Sequence, residues 1–514
     1  MGLARAWSVA LVGVDGVLVE IEADVGFGLP GLALVGLGDT ALQEARERVR
    51  AAVVNSEEGW PNRRTTLALS PASLPKVGSS YDLALAAAVL GASGDVPQGP
   101  LDGTVLLGEL ALDGRVRAVR GVLPALLAAR KAGFARAVVP AEVLPEAALV
   151  DGVQVLGARR LRDVLGWLRG DVDALLRPGP PSPIEHDPPP DLADVVGQSD
   201  ARWAIEVAAA GGHHLLLVGP PGTGKTMLAQ RLIGLLPELT TESSLEVTAI
   251  HSVAGLLSPS APLVTVPPFV APHHSTSMAA LIGGGSGLAK PGAVSKAHRG
   301  VLFLDEVAEF ATTTLEALRT PLEEGEVRLA RAGGVVAYPA RFQLVLASNP
   351  CPCAPPRAAD CVCSPAARRR YLTRLSGPLL DRIDLRAPML PVNVARLADA
   401  GDAEPTAVVR ERVLAARAAA AHRWSEHGWR TNAEVPGPAL RRTFRLPRRD
   451  LKPIDEGLTK GMLTARGADR ALRVAWTLAD LAGRDRPDEQ LVSAALALQG
   501  RAGPAGDSRP WSVA

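Results

Sequence analysis

The residues best equipped for chemistry stand in one string, Leu-Leu-Leu-Val-Gly-Pro-Pro-Gly-Thr-Gly-Lys-Thr, from Leu215 to Thr226. Gly219, Pro220, Pro221, Gly222, Thr223, Gly224, Lys225 and Thr226 spell the phosphate-loop pattern G-x-x-x-x-G-K-[ST]. An apolar, strand-like run precedes them and a segment of helical spacing follows, which is the setting that pattern requires. Glycines let backbone N–H groups turn inward around phosphate oxygens, and the N-terminus of the helix adds positive potential. Lys225 would reach the β- and γ-phosphates, and the Thr226 hydroxyl would ligate the Mg²⁺ of the nucleotide. The loop predicts binding of ATP or GTP.

Hydrolysis needs acids beside that loop, and Gly300-Val-Leu-Phe-Leu-Asp-Glu supplies them at the end of an apolar strand. Asp305 would hold the Mg²⁺ shell, and Glu306 would orient and polarise the attacking water. A further strand, Phe342-Gln-Leu-Val-Leu-Ala-Ser, ends at Asn349, whose amide can contact both γ-phosphate and water. Asn349-Pro350 is also a turn-initiating pair, and the two roles are compatible. All four cysteines follow at once as Cys351, Cys353, Cys361 and Cys363, in the spacing C-x-C-x7-C-x-C. Thiolates clustered in this way suit a structural zinc site, with free thiols as the alternative. In Ser376-Gly-Pro-Leu-Leu-Asp-Arg-Ile-Asp, Arg382 at a helix end could reach a neighbouring subunit's γ-phosphate; an intrachain pair with Asp381 or Asp384 is the other reading. Arg466 is a second arginine able to reach nucleotide, although Arg470 and Arg473 on the same segment also fit ordinary helical surface charge.

These residues need a scaffold, and 514 residues suffice for two to four domains. Composition is that of an ordinary soluble protein, 47% hydrophobic and 21% charged. A net charge of +1 offers no global excess for nucleic acid, so such binding must come from local patches. The N-terminal apolar run is cut short by Asp15 and reads as a strand rather than a signal peptide. Residues 1–170 alternate strands and helices: strand-like Leu18–Ile21, Thr65–Leu69 and Ala137–Pro140, helical Thr40–Val54, Asp82–Leu90 and Val122–Ala132. A Pro-rich linker occupies 171–190, the nucleotide domain 191–390, a helical domain 391–503 and a tail 504–514. Between Val247 and Ala289 no residue is charged, yet five prolines and a Gly-Gly-Gly run exclude a spanning helix. That segment reads as a long loop or hairpin, and the protein as cytoplasmic.

Taken together, these strings resemble the ComM/YifB branch of the magnesium-chelatase-like AAA+ ATPases across nearly the full length. Carrying the resemblance are Ala208-Ala-Ala-Gly-Gly-His-His and the phosphate loop after it, Ala271-Pro-His-His-Ser, Gly300–Glu306, Asn349-Pro-Cys-Pro-Cys and Ser376–Asp384. Ala354 departs from the glycine usual after the second cysteine. The fold implied is α/β: a Lon-protease/S5-like N-terminal domain, a phosphate-loop core with a parallel sheet, and an all-α lid. The resemblance implies a ring, a homo-hexamer, with Asn349 as sensor one, Arg382 as a finger acting in trans and Arg466 as sensor two. It also implies two hairpins facing the ring channel. Val247–Lys290 would hold one, and Glu326-Val-Arg-Leu-Ala-Arg-Ala-Gly-Gly-Val-Val the other, with Arg331 placed to grip single-stranded or branched DNA by its backbone.

In the N-terminal domain, Leu74-Pro-Lys-Val-Gly-Ser-Ser-Tyr-Asp is similar to Lon, with Ser80 at the nucleophile's position. The segment that should carry Lon's lysine reads Gly121-Val-Leu-Pro-Ala-Leu-Leu-Ala-Ala-Arg, and a serine without an activating base is a poor nucleophile. A non-proteolytic domain is expected. The functional expectation is a DNA translocase or helicase acting in recombination or natural transformation. The alternative is a chelatase-type motor that remodels a protein partner or a metal-insertion complex.

Overall fold

The computed structural model describes residues 2–35, 40–72, 74, 78–180, 189–285, 289–331, 334–355, 360–374, 377–391 and 403–500. The expected tail at 504–514, the centre of the Pro-rich linker, Pro75–Val77 of the Lon-like stretch and Ser376 lie outside them.

Near the N-terminus, Gly2–Val12 and Asp15–Gly26 form a long antiparallel pair about a tight turn, with Ala6 opposite Ile21. They sit inside a seven-stranded mixed sheet in the order Gly31–Val35, Arg64–Ser70, Asp15–Gly26, Gly2–Val12, Thr104–Leu106, Arg136–Pro140, Gln154–Ala158. Helix Asp82–Ser93 is apolar almost all round and is accordingly buried along its length. Its single charge, Asp82, accepts two hydrogen bonds from the Arg48 guanidinium at 3.0 and 3.2 Å and one from the Leu110 N–H at 3.2 Å. Leu176 bridges back to Gly157, so the chain stays on this domain before the Pro-rich segment.

The second sheet is parallel throughout, in the order Phe269–Val270, Val301–Leu304, Gln343–Ser348, Leu215–Val218, Leu385–Pro388. Every residue of Leu215–Val218, Val301–Leu304 and Gln343–Ser348 is buried, as unbroken apolar strands covered on both faces should be. Val218 lies beside Ser348, and Leu304 beside Leu346. The phosphate loop, the Asp305-Glu306 pair and Asn349 therefore leave the sheet along one edge, the carboxyl ends where open α/β sheets hold ligands.

The charge-free segment differs from the expected loop at its start: Val247–Ala254 continues the helix Thr241–Ala254, capped by Thr240 and closed by left-handed Gly255. A long apolar stretch without prolines until Pro259 gives this helix its length. The rest holds a short antiparallel hairpin, Gly283–Gly284 with Lys290–Pro291. The other hairpin pairs Glu326–Arg331 with Gly334–Pro339. The two are joined, since the buried Tyr338 hydroxyl donates to the Ala289 carbonyl at 2.7 Å and Leu329 packs over Gly283. Any side chain at Gly283 would meet Leu329 and the Lys290 carbonyl, and its φ of +126° disfavours one in any case.

The N-terminal domain touches this apparatus. Leu245 and Ala249 of helix Thr241–Ala254 pack into its core with Val9, Leu126 and Val139. Buried Glu146 accepts from the Leu123 N–H at 2.8 Å and from the Ser252 hydroxyl at 2.5 Å across the boundary.

The lid is helical: Thr406–Trp424, Arg448–Thr459, Ala465–Leu481 and Glu489–Leu498. Fully buried Trp424 meets Phe444 and Trp476 edge-on at 4.6 and 5.5 Å, and its indole N–H donates to Asn432 at 2.8 Å. His213 ties lid to core through Thr477 at 2.8 Å, and the His214 N–H donates to Asp384 at 3.1 Å. Burial disfavours the Asp384 carboxylate, but the His213 ring 3.7 Å away, with His214 and the charge of Arg473, outweighs it and holds the group at about 2. A depressed acid contributes stability that is complete above its unfolded value, ~4, and is lost as pH falls through the folded value. Asp384→Asn should therefore flatten the loss of stability between about pH 4 and 2, on the order of 2 kcal/mol, measured by urea unfolding across that range.

Candidate nucleotide-hydrolysis site

The phosphate loop is shaped by backbone freedom. Gly222 and Gly224 hold φ of +76° and +86°, values open to glycine, and Gly224 precedes the helix Lys225–Leu235. Lys225 is largely buried and donates to the carbonyls of Gly219 and Pro220 at 2.7 and 2.8 Å and to Asn349 Oδ1 at 3.1 Å. Burial lowers its pKa, opposed by the charges of Asp305 and Glu306. The Thr226 hydroxyl donates to Asp305 Oδ2 at 2.6 Å, so both residues expected to serve Mg²⁺ lie together. An oxygen pair from a hydroxyl and a carboxylate is the donor set that a hard cation takes beside phosphate.

Glu306 follows in the left-handed region, φ +49° and ψ +45°. A non-glycine residue is seldom held there, and such conformations cluster at active sites. Its N–H donates to Asp305 Oδ1 at 2.9 Å, which turns the Glu306 side chain away from its neighbour. Its carboxylate lies 3.6 Å from His274 Nδ1.

Two residues here carried no role in the sequence reading. Gln198, just before helix Ser199–Gly211, donates to the carbonyls of Thr223 at 3.2 Å and Leu390 at 2.7 Å, bracing the phosphate loop. His274 belongs to a string quoted for resemblance alone; two adjacent histidines in a charge-free run were its available signal.

Arg382 pairs within its own chain with Glu323, an acid that the sequence reading had not paired with it. Arg466, in the first turn of its helix, reaches the same carboxylate at 4.0 Å. Arg470 is not surface charge: it is buried and donates to the Ile383 carbonyl at 3.1 Å, fastening the lid to the Arg382 segment. The backbone of Arg331 ends its strand opposite Gly334, and its side chain lies outside the described residues.

The strand that ends at Ser348 passes through Asn349 directly into the cysteines. Their four sulfurs lie within 4.8 Å of one another, with Cys351, Cys353 and Cys361 mutually 3.5 Å apart. A hydrogen bond from the backbone of Cys363 lowers the Cys361 thiol to about 6, and burial pushes Cys351 up to about 12.

Comparison with known proteins agrees with this architecture. Residues 21–143 match the family described as subunit ChlI of Mg-chelatase, 191–397 magnesium chelatase subunit ChlI, and 403–499 its C-terminal part. A Mycobacterium tuberculosis protein is 62% identical over 97% of this chain and 99% of its own length. Competence protein ComM of Haemophilus influenzae is 41% identical over 96% of this chain and 97% of its own, and YifB of Escherichia coli 40% over 97% of each. A phosphate loop, an acidic strand end and a strand-tip amide on a parallel sheet, beside a helical domain, are the features of a AAA+ ATPase. The chain belongs to the magnesium-chelatase-like AAA+ family that contains ComM and YifB. Membership of that class brings ATP and Mg²⁺ as ligands and assembly into oligomers. Among the described residues no helix is long and apolar enough to cross a membrane.

Lys225→Ala would remove the charge-assisted bonds to phosphate expected of this side chain, about 1.5–3 kcal/mol. A fluorescent ATP analogue should bind this variant roughly 10- to 100-fold more weakly than wild type.

Proposed function

We propose that this protein is a ring-forming ATPase, a homo-hexamer, that drives movement along single-stranded or branched DNA. The observation that carries the reading is the joined pair of hairpins, one of them ending with Arg331 opposite Gly334. Loops fixed to each other by the Tyr338–Ala289 bond move as one body, as a lever on a strand must. A cation at a hairpin turn suits phosphate backbone, which needs no sequence reading. ComM's designation as a competence protein supports a DNA substrate in recombination or natural transformation.

In this mechanism Lys225 and the loop N–H groups hold the phosphates, while Thr226 and Asp305 orient toward Mg²⁺. When bound, Mg²⁺ neutralises charge building on the β- and γ-phosphates. Glu306 takes a proton from the attacking water, and Asn349 aligns that water while sensing the γ-phosphate. Arg382 and Arg466 leave Glu323 for the nucleotide of the adjacent subunit and stabilise the transferred charge. Cys351, Cys353, Cys361 and Cys363 would hold Zn²⁺: four thiols gathered within 4.8 Å, three of them 3.5 Å apart, are the donor set a structural zinc takes. Zinc there would anchor the turn behind Asn349. The N-terminal domain is a non-proteolytic support.

A second reading, a chelatase-type motor working on a protein partner, draws on the match of residues 191–397 to a magnesium chelatase subunit. ATP turnover with and without forked or three-stranded DNA separates the two. DNA should raise turnover of wild type, and Arg331→Ala should lower the ratio of DNA-stimulated to DNA-free turnover; turnover indifferent to every DNA, with no binding at low salt, favours the protein client. Glu306→Gln should retain nucleotide binding yet lose turnover by about 10²- to 10⁴-fold, the usual contribution of a general base.

A further inference from the structure

Helix Pro365–Arg374, Pro-Ala-Ala-Arg-Arg-Arg-Tyr-Leu-Thr-Arg, carries four arginines and no acid in a chain whose net charge is +1. Ser364 caps it, accepting from the Ala367 N–H at 3.2 Å, and Pro365 suits its first turn. One face is committed to the ATPase core. Tyr371 is buried, with its hydroxyl against Ser348 and the backbone of Asn349. Arg374 reaches the Ala308 carbonyl at 3.4 Å and Glu309 at 3.5 Å, two and three residues beyond Glu306. Arg368 is engaged with the Cys361 sulfur. Arg369 and Arg370 face outward, exposed and without an ion pair among the described residues.

We infer that Arg369 and Arg370 form a second DNA contact, gripping phosphates of the strand that the hairpins move. The inference rests on the DNA-translocase reading. The occupant follows from charge: consecutive exposed arginines, with no acid on their helix, match a polyanion whose phosphates can be met by two diverging side chains, and the helix's one aromatic ring is buried, so it offers phosphate contact without base stacking. The placement adds a consequence. A pull on this helix acts at Tyr371 on Asn349 and at Arg374 on the turn after Glu306, so strand tension bears directly on the hydrolytic groups.

Anisotropy of a labelled forked DNA, titrated with full-length protein and a non-hydrolysable ATP analogue over a range of salt, tests this. Losing two phosphate contacts lowers the slope of log K against log salt by about 1.8 on duplex or 1.4 on single strands. Arg369→Gln/Arg370→Gln should show that loss, and Arg369→Lys/Arg370→Lys, which keeps both charges, should restore the slope. A wild-type slope in the Gln variant overturns the inference and leaves the translocase reading standing, and points to an acidic protein for this surface. Equal loss in both variants, with lowered zinc content or melting temperature, assigns the arginines a structural role and also overturns it. Wild-type protein that binds no DNA at low salt removes the translocase reading and this inference together.

Discussion

Parallel register among three strands is the constraint on which the hydrolysis site depends. Leu215–Val218, Val301–Leu304 and Gln343–Ser348 share one direction and one edge. Lys225 can therefore reach Asn349 and Thr226 can reach Asp305, although these residues are 124 and 79 positions apart in sequence. Slipping one strand by a single residue would exchange its two packed faces and carry its polar end about 3.3 Å along the edge, so close packing on both faces fixes the register. The polar groups at the edge are thus positioned by apolar packing behind them. Lys225, part buried and triply bonded, costs little further ordering when phosphate replaces its protein acceptors.

Three elements converge on that edge from outside the sheet. The lid is fastened to it through Arg470 on the Ile383 carbonyl and His213 on Thr477, so motion of the lid shifts the Arg382 segment. The paired hairpins are linked to it through the segment that carries His274 to Glu306. The cysteine turn and the helix after it rest on Asn349 through Tyr371. Glu323 holds Arg382 and Arg466 at one point, which keeps two cations together until a stronger anion competes.

Much of the chemistry was legible in the sequence because its signals are local. The phosphate loop, the Asp305-Glu306 strand end, Asn349 and the cysteine spacing each need thirteen residues or fewer, and the family resemblance joined them. What escaped is what long-range packing decides. Gln198 braces a loop 25 residues away and a carbonyl 192 away, and nothing in its own neighbourhood signals either. Arg470 reads as helical surface charge because amphipathic spacing says which face is buried, not what it meets, and Glu323 drew no reading at all. The helix through Ala254 was hidden by the prolines that follow it, which broke the segment's pattern from Pro259 onward. Contact between Glu146 and Ser252 joins two domains whose sequences give no hint of docking.

In the proposed mechanism, hydrolysis is converted into movement of a DNA strand. A labelled three-stranded junction, incubated with full-length protein and ATP, reads that conversion directly by gel. Strand exchange should proceed with ATP, stop with a non-hydrolysable analogue and stop with Glu306→Gln. Brisk ATP hydrolysis with no strand displaced from any forked or three-stranded DNA would contradict it.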